Sequence, residues 1–117
     1  MVRFDAIAAN EDVVDIGPTT LQQIRSALSS ARTALWVGAM GWAGHPIFSA
    51  GTVSIGRFMA DILGHGVIIG AASMAALRQA GDGIAPISAA FASSGGGAAL
   101  ELIEGRKLPG LEVIRRS

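Results

Sequence analysis

A run of three glycines near the end of the chain carries the clearest chemical signal in the sequence. Gly95, Gly96 and Gly97 follow Ser94 and lead directly into a short helical pattern, which Gly105 ends. Consecutive glycines let the backbone turn with its N–H groups exposed, and the start of a helix adds a partial positive charge. The pattern therefore predicts a cradle for phosphate. The same residues also suit a tight turn from a strand into a helix, and the motif itself contains no lysine or arginine.

Composition argues against several classes of function. The chain has 117 residues, a formal net charge of zero and no cysteine. A neutral chain gives no electrostatic basis for binding nucleic acid or an acidic membrane surface. Disulfides and thiolate metal sites are excluded, and His45 and His65 have no carboxylate at ligand spacing. We therefore expect one cytoplasmic domain over residues 1–117, with no metal and no nucleic-acid partner.

One long uncharged segment invites comparison with a membrane span. Residues 33–56 contain no Asp, Glu, Lys or Arg, which is enough chain to cross a bilayer. Several glycines and Pro46 interrupt the segment, whereas a lipid-exposed helix needs an unbroken run of large apolar residues. At the start of the chain, Asp5, Glu11 and Asp12 interrupt any apolar core of a signal peptide. We expect neither a span nor a signal peptide.

Short apolar runs alternate with amphipathic helical patterns along the chain. Strands are predicted at residues 34–40, 67–71 and 87–92, with a possible short fourth at 13–16. The first helix is capped by Thr19 or Thr20 and has an apolar face that reaches Ala31, the second follows Thr52 and is ended by Gly64, and two more are predicted over 73–80 and 97–104. This alternation predicts an α/β fold, a small three-layer αβα sandwich around a three- or four-stranded parallel sheet. Trp36 and Trp42 are interpreted as core or interface anchors. Residues 1–12 and 111–117 have the least patterning, which predicts loose order there.

Four motifs resemble one known family. Residues 93–110 read SSGGGAALELIEGRKLPG, residues 15–20 read DIGPTT, residues 35–41 read LWVGAMG, and residues 40–52 read MGWAGHPIFSAGT. Together they closely resemble the C-terminal part of the nucleotide-binding domain of phosphoglycerate kinases. The resemblance covers almost the whole chain but only the last quarter to third of a full kinase.

The resemblance implies a retained scaffold with altered chemistry. Family members transfer a phosphoryl group between ATP and 3-phosphoglycerate, but their phosphoglycerate domain and the lysines near the transferred phosphate have no counterpart here. Val37 stands where the family has an Asn that contacts phosphate, and Gly44 stands where it has a Glu that binds ribose. The family's glycine-rich loop with its Asp corresponds to residues 70–74, with either Ala72 or Ser73 at the Asp position. Lost charged contacts of this kind weaken binding by about 1.5–3 kcal/mol each.

These observations leave three functional hypotheses. The leading one is a degenerate kinase-like domain that has no kinase activity by itself and acts by self-association, as a dimer, or by binding a protein that covers the sheet edge. In that case the cradle would bind phosphate or nucleotide weakly, and Mg-ATP or Mg-ADP would bind only if the ancestral site survives. The phosphate or nucleotide candidates are Ser94, Gly95, Gly96, Gly97, Gly70 and Ser73.

The second hypothesis is a split subunit of a phosphoglycerate kinase, active only beside a chain that carries the missing domain. The third is a small-molecule site in a remodelled apolar cleft. The residues of that cleft are Val37, Gly38, Ala39, Gly44, Ala71 and Ala72. The first two hypotheses depend on a protein partner, and the third depends on an apolar ligand.

Overall fold

The computed structural model describes residues 4–62, 66–80 and 90–115. The described strands are β1 (Ala34–Val37), β2 (Gly66–Ile69) and β3 (Ala90–Ser93), and the described α-helices are α1 (Pro18–Ser29), α2 (Ala50–Ile62), α3 (Ala71–Gln79), α4 (Gly97–Ile103) and α5 (Pro109–Arg115). Short 3-10 turns occur at Phe4–Ala6 and Pro46–Ser49. The predicted alternation of strands and helices is confirmed. Helix α5 occupies most of a tail for which the sequence pattern predicted loose order.

The sheet is parallel, with strand order β1-β2-β3. Ala34 pairs with Gly66 and Val37 with Ile69, and β3 continues the same register on the other side of β2. The α/β class and the parallel sheet are therefore confirmed, with three described strands. Positive φ angles at Gly38 and Gly70 end β1 and β2 earlier than their apolar runs do, because this backbone conformation cannot continue a strand. The predicted residues 87–89 of the third strand lie outside the described residues.

The possible fourth strand at residues 13–16 does not form. The Val14 carbonyl accepts a hydrogen bond from the Trp42 N–H at 2.8 Å, and the Asp15 carboxylate accepts bonds from Ile16 and from Gly51. These bonds hold the segment against the loop after β1 and the start of α2. The hydrogen bonds of this segment therefore go to the loop after β1 and to α2, and they do not pair it with a neighbouring strand.

One face of the sheet carries the main core. Ala34, Trp36 and Ile68 point to this face and pack with Ile55 and Met59 of α2. Met74 and Leu77 of α3 complete the buried cluster, and the α1 stripe of Leu21, Ile24 and Leu28 packs against it. Trp36 is only 5% exposed, which confirms its predicted place in the core. The apolar periodicity of α1 and α2 thus marks the faces that the helices bury.

The other face of the sheet is covered only in part. Val67 and Ile69 lie beneath α4 and the turn before α5, where they line an apolar groove of about 640 Å³. Leu35 and Val37, their neighbours on β1, are 50% and 47% exposed. None of the helices in the described part of the chain combines the length and the apolar character that a membrane span requires.

Candidate functional site

The carboxyl ends of the three strands meet at one edge of the sheet. The Gly38 N–H donates to the Ile69 carbonyl at 3.0 Å, and the Gly70 N–H donates to the Ser93 carbonyl at 2.9 Å. A Cβ placed on Gly70 would lie 3.5 Å from the Gly38 nitrogen. The loops that follow β1, β2 and β3 are therefore direct neighbours, as expected where ligands bind in open parallel sheets.

The start of α3 combines free backbone donors with a buried hydroxyl. Gly70 is the N-cap, with φ +130°, and its carbonyl accepts the first helical bond from Met74 at 3.1 Å. The N–H groups of a first helical turn have no partner within the helix. Ser73 is fully buried, and its Oγ has no hydrogen-bond partner among the described residues. The predicted candidates Gly70 and Ser73 thus lie together: the Cβ position of Gly70 is 3.7 Å from Ser73 Oγ.

The glycine run before α4 forms a tight turn. The Gly95 N–H donates to Ser93 Oγ at 3.1 Å, and the Gly95 carbonyl accepts from Ala98 at 3.0 Å. Gly96 has φ +49° and ψ −120°, a combination that suits glycine. One of the three glycine donors is therefore used inside the turn, whereas the N–H groups of Gly96 and Gly97 make no hydrogen bond among the described residues. Ser94 is exposed beside them.

The six residues of the predicted apolar cleft lie at the end of β1, in the loop after it and at the start of α3, and the cleft stays a prediction. Gly38 lies at the strand edge against Gly70, whereas Val37 is half-exposed on the sheet face. Ala71 and Ala72 are exposed at the start of α3, and Ala39 is half-buried in the loop after β1. Gly44 lies beside the indole of Trp42, with its Cβ position 3.3 Å from Nε1. The 640 Å³ apolar groove lies elsewhere, between β2, α4 and the turn before α5.

Sequence reasoning missed an aromatic cluster in the loop after β1. The Trp42 and Phe48 rings are stacked with centroids 5.9 Å apart, and His45 lies 4.8 Å from Phe48. Trp42 is nonetheless 60% exposed, so its prediction as a core residue is wrong and its interface role stays a prediction. The spacing of three residues between aromatic rings at 42, 45 and 48 is the signal that could have indicated this cluster.

The first residues after each strand contain no ionisable side chain. Residues 37–41, 70–73 and 94–97 are all neutral, and the one lysine of the chain, Lys107, lies beyond α4. In the part of the chain that the structure describes, no group of three or more His, Cys, Asp or Glu side chains could hold a metal ion. The edge can therefore offer an anion only backbone N–H groups, hydroxyls and helix dipoles.

A parallel sheet whose strands lead through glycine loops into helix starts is typical of the α/β class of domains, in which ligands lie at the carboxyl edge of the sheet. Comparison with known proteins narrows this class. The family model described as phosphoglycerate kinase matches residues 1–106. The phosphoglycerate kinase of Lactobacillus johnsonii is 41% identical over 111 residues, which are 94% of this chain and 27% of that protein. That of Chloroflexus aggregans is 41% identical over 118 residues, 98% of this chain and 29% of that protein.

A solved structure gives the same result. The phosphoglycerate kinase of Coxiella burnetii superposes with a TM-score of 0.74 at 29% sequence identity, over 93% of this chain and 27% of that chain. The chain therefore belongs to the phosphoglycerate kinase family. It spans between a quarter and a third of the length of the curated relatives it matches.

Proposed function

We propose that this domain does not catalyse phosphoryl transfer by itself and acts through self-association, with weak anion affinity at the strand-end loops. The observation that carries the proposal is the neutral edge. Gly38, Gly70 and Ser73 come together there, yet every side chain in residues 37–41, 70–73 and 94–97 is small or apolar. Phosphoryl transfer depends on cations placed around the equatorial oxygens of the transferred group. This edge has the shape of a phosphate site without those cations.

The start of α3 supports the weak anion affinity better than the start of α4 does. Helix α3 has nine residues and a buried hydroxyl without a described partner, whereas α4 has seven residues and one glycine donor already in use. A single helix start contributes about 0.3–1 kcal/mol to the binding of an anion. Because these loops contain no cation, we expect a millimolar dissociation constant, which corresponds to a binding free energy of about 4 kcal/mol in magnitude.

The catalytic part of the proposal is tested by a coupled ATP assay on the full chain, prepared free of host kinase. We expect no turnover above background with 3-phosphoglycerate and Mg-ATP. Turnover that follows the chain through purification, and disappears in a Gly70→Val variant, would overturn it.

The anion part is tested by titrating inorganic phosphate against the full chain and following its amide NMR signals. We expect saturating shifts at residues 70–74, weaker shifts at residues 94–98, and reduced shifts at 70–74 in Ser73→Ala. Gly110→Ala serves as the control, because Gly110 lies in α5, outside both loops, and its Cβ would meet nothing within 4 Å. Shifts elsewhere, or none at high phosphate, would mean that these glycines form turns only.

A second candidate is a part of a larger phosphoglycerate kinase that becomes active beside the rest of the molecule. The exposed Leu35 and Val37 favour it, because a covering layer would bury them. The discriminating experiment adds the preceding part of the Chloroflexus aggregans kinase, in trans, to the coupled assay. Activity that needs both polypeptides would support this candidate over self-association.

A further inference from the structure

The outer edge of β1 offers unpaired backbone groups. In a parallel ladder, alternate residues of a strand direct both N–H and C=O to the same neighbour. Because the Gly38 N–H donates to Ile69 of β2, Ala34 and Trp36 also face β2, whereas Leu35 and Val37 direct their backbone groups outward. Among the described strands, β1 pairs only with β2. The outward N–H and C=O groups of Leu35 and Val37 have no partner in the described structure.

The same two residues expose apolar side chains. Leu35 is 50% exposed and Val37 is 47% exposed, and they continue the apolar face formed by Val67 and Ile69. Natural proteins protect such edges with charges, prolines or bulges. β1 has no such protection, because residues 33–45 contain neither a charged side chain nor a proline. This edge is therefore suited to strand addition.

We propose that the β1 edge pairs antiparallel with the β1 edge of a second copy of this chain, about a two-fold axis at Trp36. The inference rests on the proposed self-association and identifies the β1 edge as the surface through which two copies associate. Leu35 of one copy then lies opposite Val37 of the other, and the pairing joins two three-stranded sheets into one continuous sheet. Because each such pair exchanges two hydrogen bonds, the two pairs satisfy all the outward groups of these residues.

A second copy fits this edge because the edge is self-complementary. The axis brings Leu35 and Val37 of both copies into one apolar stripe on the half-covered face, where each side chain shields the next. The paired strand residues 34–37 carry no charged side chain, so no like charges face each other across the axis. The interface is short, with four strand residues on each side, and is smaller than a standard interface of about 800 Å² per partner. We therefore expect a dissociation constant of the dimer in the micromolar range.

Sedimentation of the full chain at increasing concentration, with two lysine variants, tests the surface. We expect wild type to shift from monomer to dimer and Val37→Lys to dissociate at least tenfold more readily, because its charge would face the apolar stripe. Ile47→Lys is the matched control, because Ile47 is 73% exposed on the 3-10 turn after the β1 loop. We expect it to sediment as wild type. Circular dichroism checks that each variant is folded.

Cysteine cross-linking tests the register and remains decisive if Val37→Lys does not fold. The chain has no native cysteine, so Leu35→Cys and Val37→Cys each carry a single thiol. Opposite residues in a hydrogen-bonded antiparallel pair have Cα atoms about 5.5 Å apart, within disulfide range. In this register the two copies of position 35 lie about 9 Å apart, as do the two copies of position 37, which is beyond that range. We expect oxidation to cross-link the mixture of the two variants and neither variant alone.

The outcomes separate this inference from the broader proposal. A monomer at every concentration would overturn both the β1 dimer and self-association. A dimer that Val37→Lys leaves intact, with no cross-link in the mixture, would overturn the β1 interface and leave self-association standing. Cross-linking of Leu35→Cys alone would overturn the register centred on Trp36.

Discussion

The carboxylate of Asp15 accepts a 2.8 Å hydrogen bond from the backbone N–H of Gly51, 36 residues further along the chain. Its other oxygen accepts from the neighbouring Ile16 N–H at 2.8 Å. Asp15 thus ties the segment before α1 to the first turn of α2, where the N–H groups have no helical partner. A negative charge is also favoured at a helix start, since it complements the helix dipole.

We predict that Asp15→Ala lowers the free energy of unfolding by about 2 kcal/mol, because hydrogen bonds to a charged group contribute about 1.5–3 kcal/mol. Urea unfolding followed by circular dichroism measures the change. Asp12→Ala is the control, because Asp12 is exposed on the same segment and should change the stability by less than about 0.5 kcal/mol. Equal effects of the two substitutions would mean that the tether contributes nothing to stability.

Gly51 is required for the close approach of α2 to the Asp15 segment. A Cβ at this position would lie 2.5 Å from Ile16 Cγ1 and 2.6 Å from Asp15 Oδ1. We predict that Gly51→Ala destabilises the fold by about 1–3 kcal/mol, since this overpacking outweighs the helix propensity that alanine adds. Gly97→Ala, in open space at the start of α4, should be neutral or stabilising. Thermal unfolding of the two variants compares them, and a stable Gly51→Ala would show that the contact relaxes without cost.

Thr52 links the loop after β1 to α2. Its Oγ1 accepts a hydrogen bond from the Met40 N–H at 3.0 Å, and the residue is fully buried. We predict that Thr52→Val costs about 1–3 kcal/mol, because it keeps the volume but leaves a backbone donor without its acceptor. Thr52→Ser keeps the acceptor and loses one methyl group, so it should cost about 1 kcal/mol. Chemical denaturation ranks the two, and the reverse order would show that packing outweighs this hydrogen bond.

Substitution of Ser73 should affect stability in the opposite direction to the three substitutions above. Its buried Oγ has no partner among the described residues, so the hydroxyl contributes a desolvation cost without a compensating bond. We predict that Ser73→Ala leaves the melting temperature unchanged or raises it, in the absence of phosphate. A clear loss of stability on substitution would indicate that Ser73 does bind a partner in solution, such as an ordered water.

Much of the fold could be predicted from the sequence because its signals are local. The apolar spacing of Leu21, Ile24 and Leu28 marks the buried stripe of α1, and the apolar run around Trp36 marks a buried strand. Gly38 and Gly70 follow β1 and β2 where positive φ angles end the strands. The motifs of the family were equally readable, because a motif is defined by residues close together in sequence.

The tertiary structure alone decided how these elements share their surfaces. It made residues 13–16 a tether instead of a strand, since the carboxylate of Asp15 meets a helix start that lies far along the chain. It left Trp42 exposed while burying Trp36, and it buried the hydroxyl of Ser73 without a described partner. It also left Leu35 and Val37 half-exposed, although a continuous apolar run of this kind is typical of a strand that is buried on both faces. The physical reason is that periodicity fixes which residues share a face, whereas burial of that face depends on what distant parts of the chain, or a second chain, bring against it.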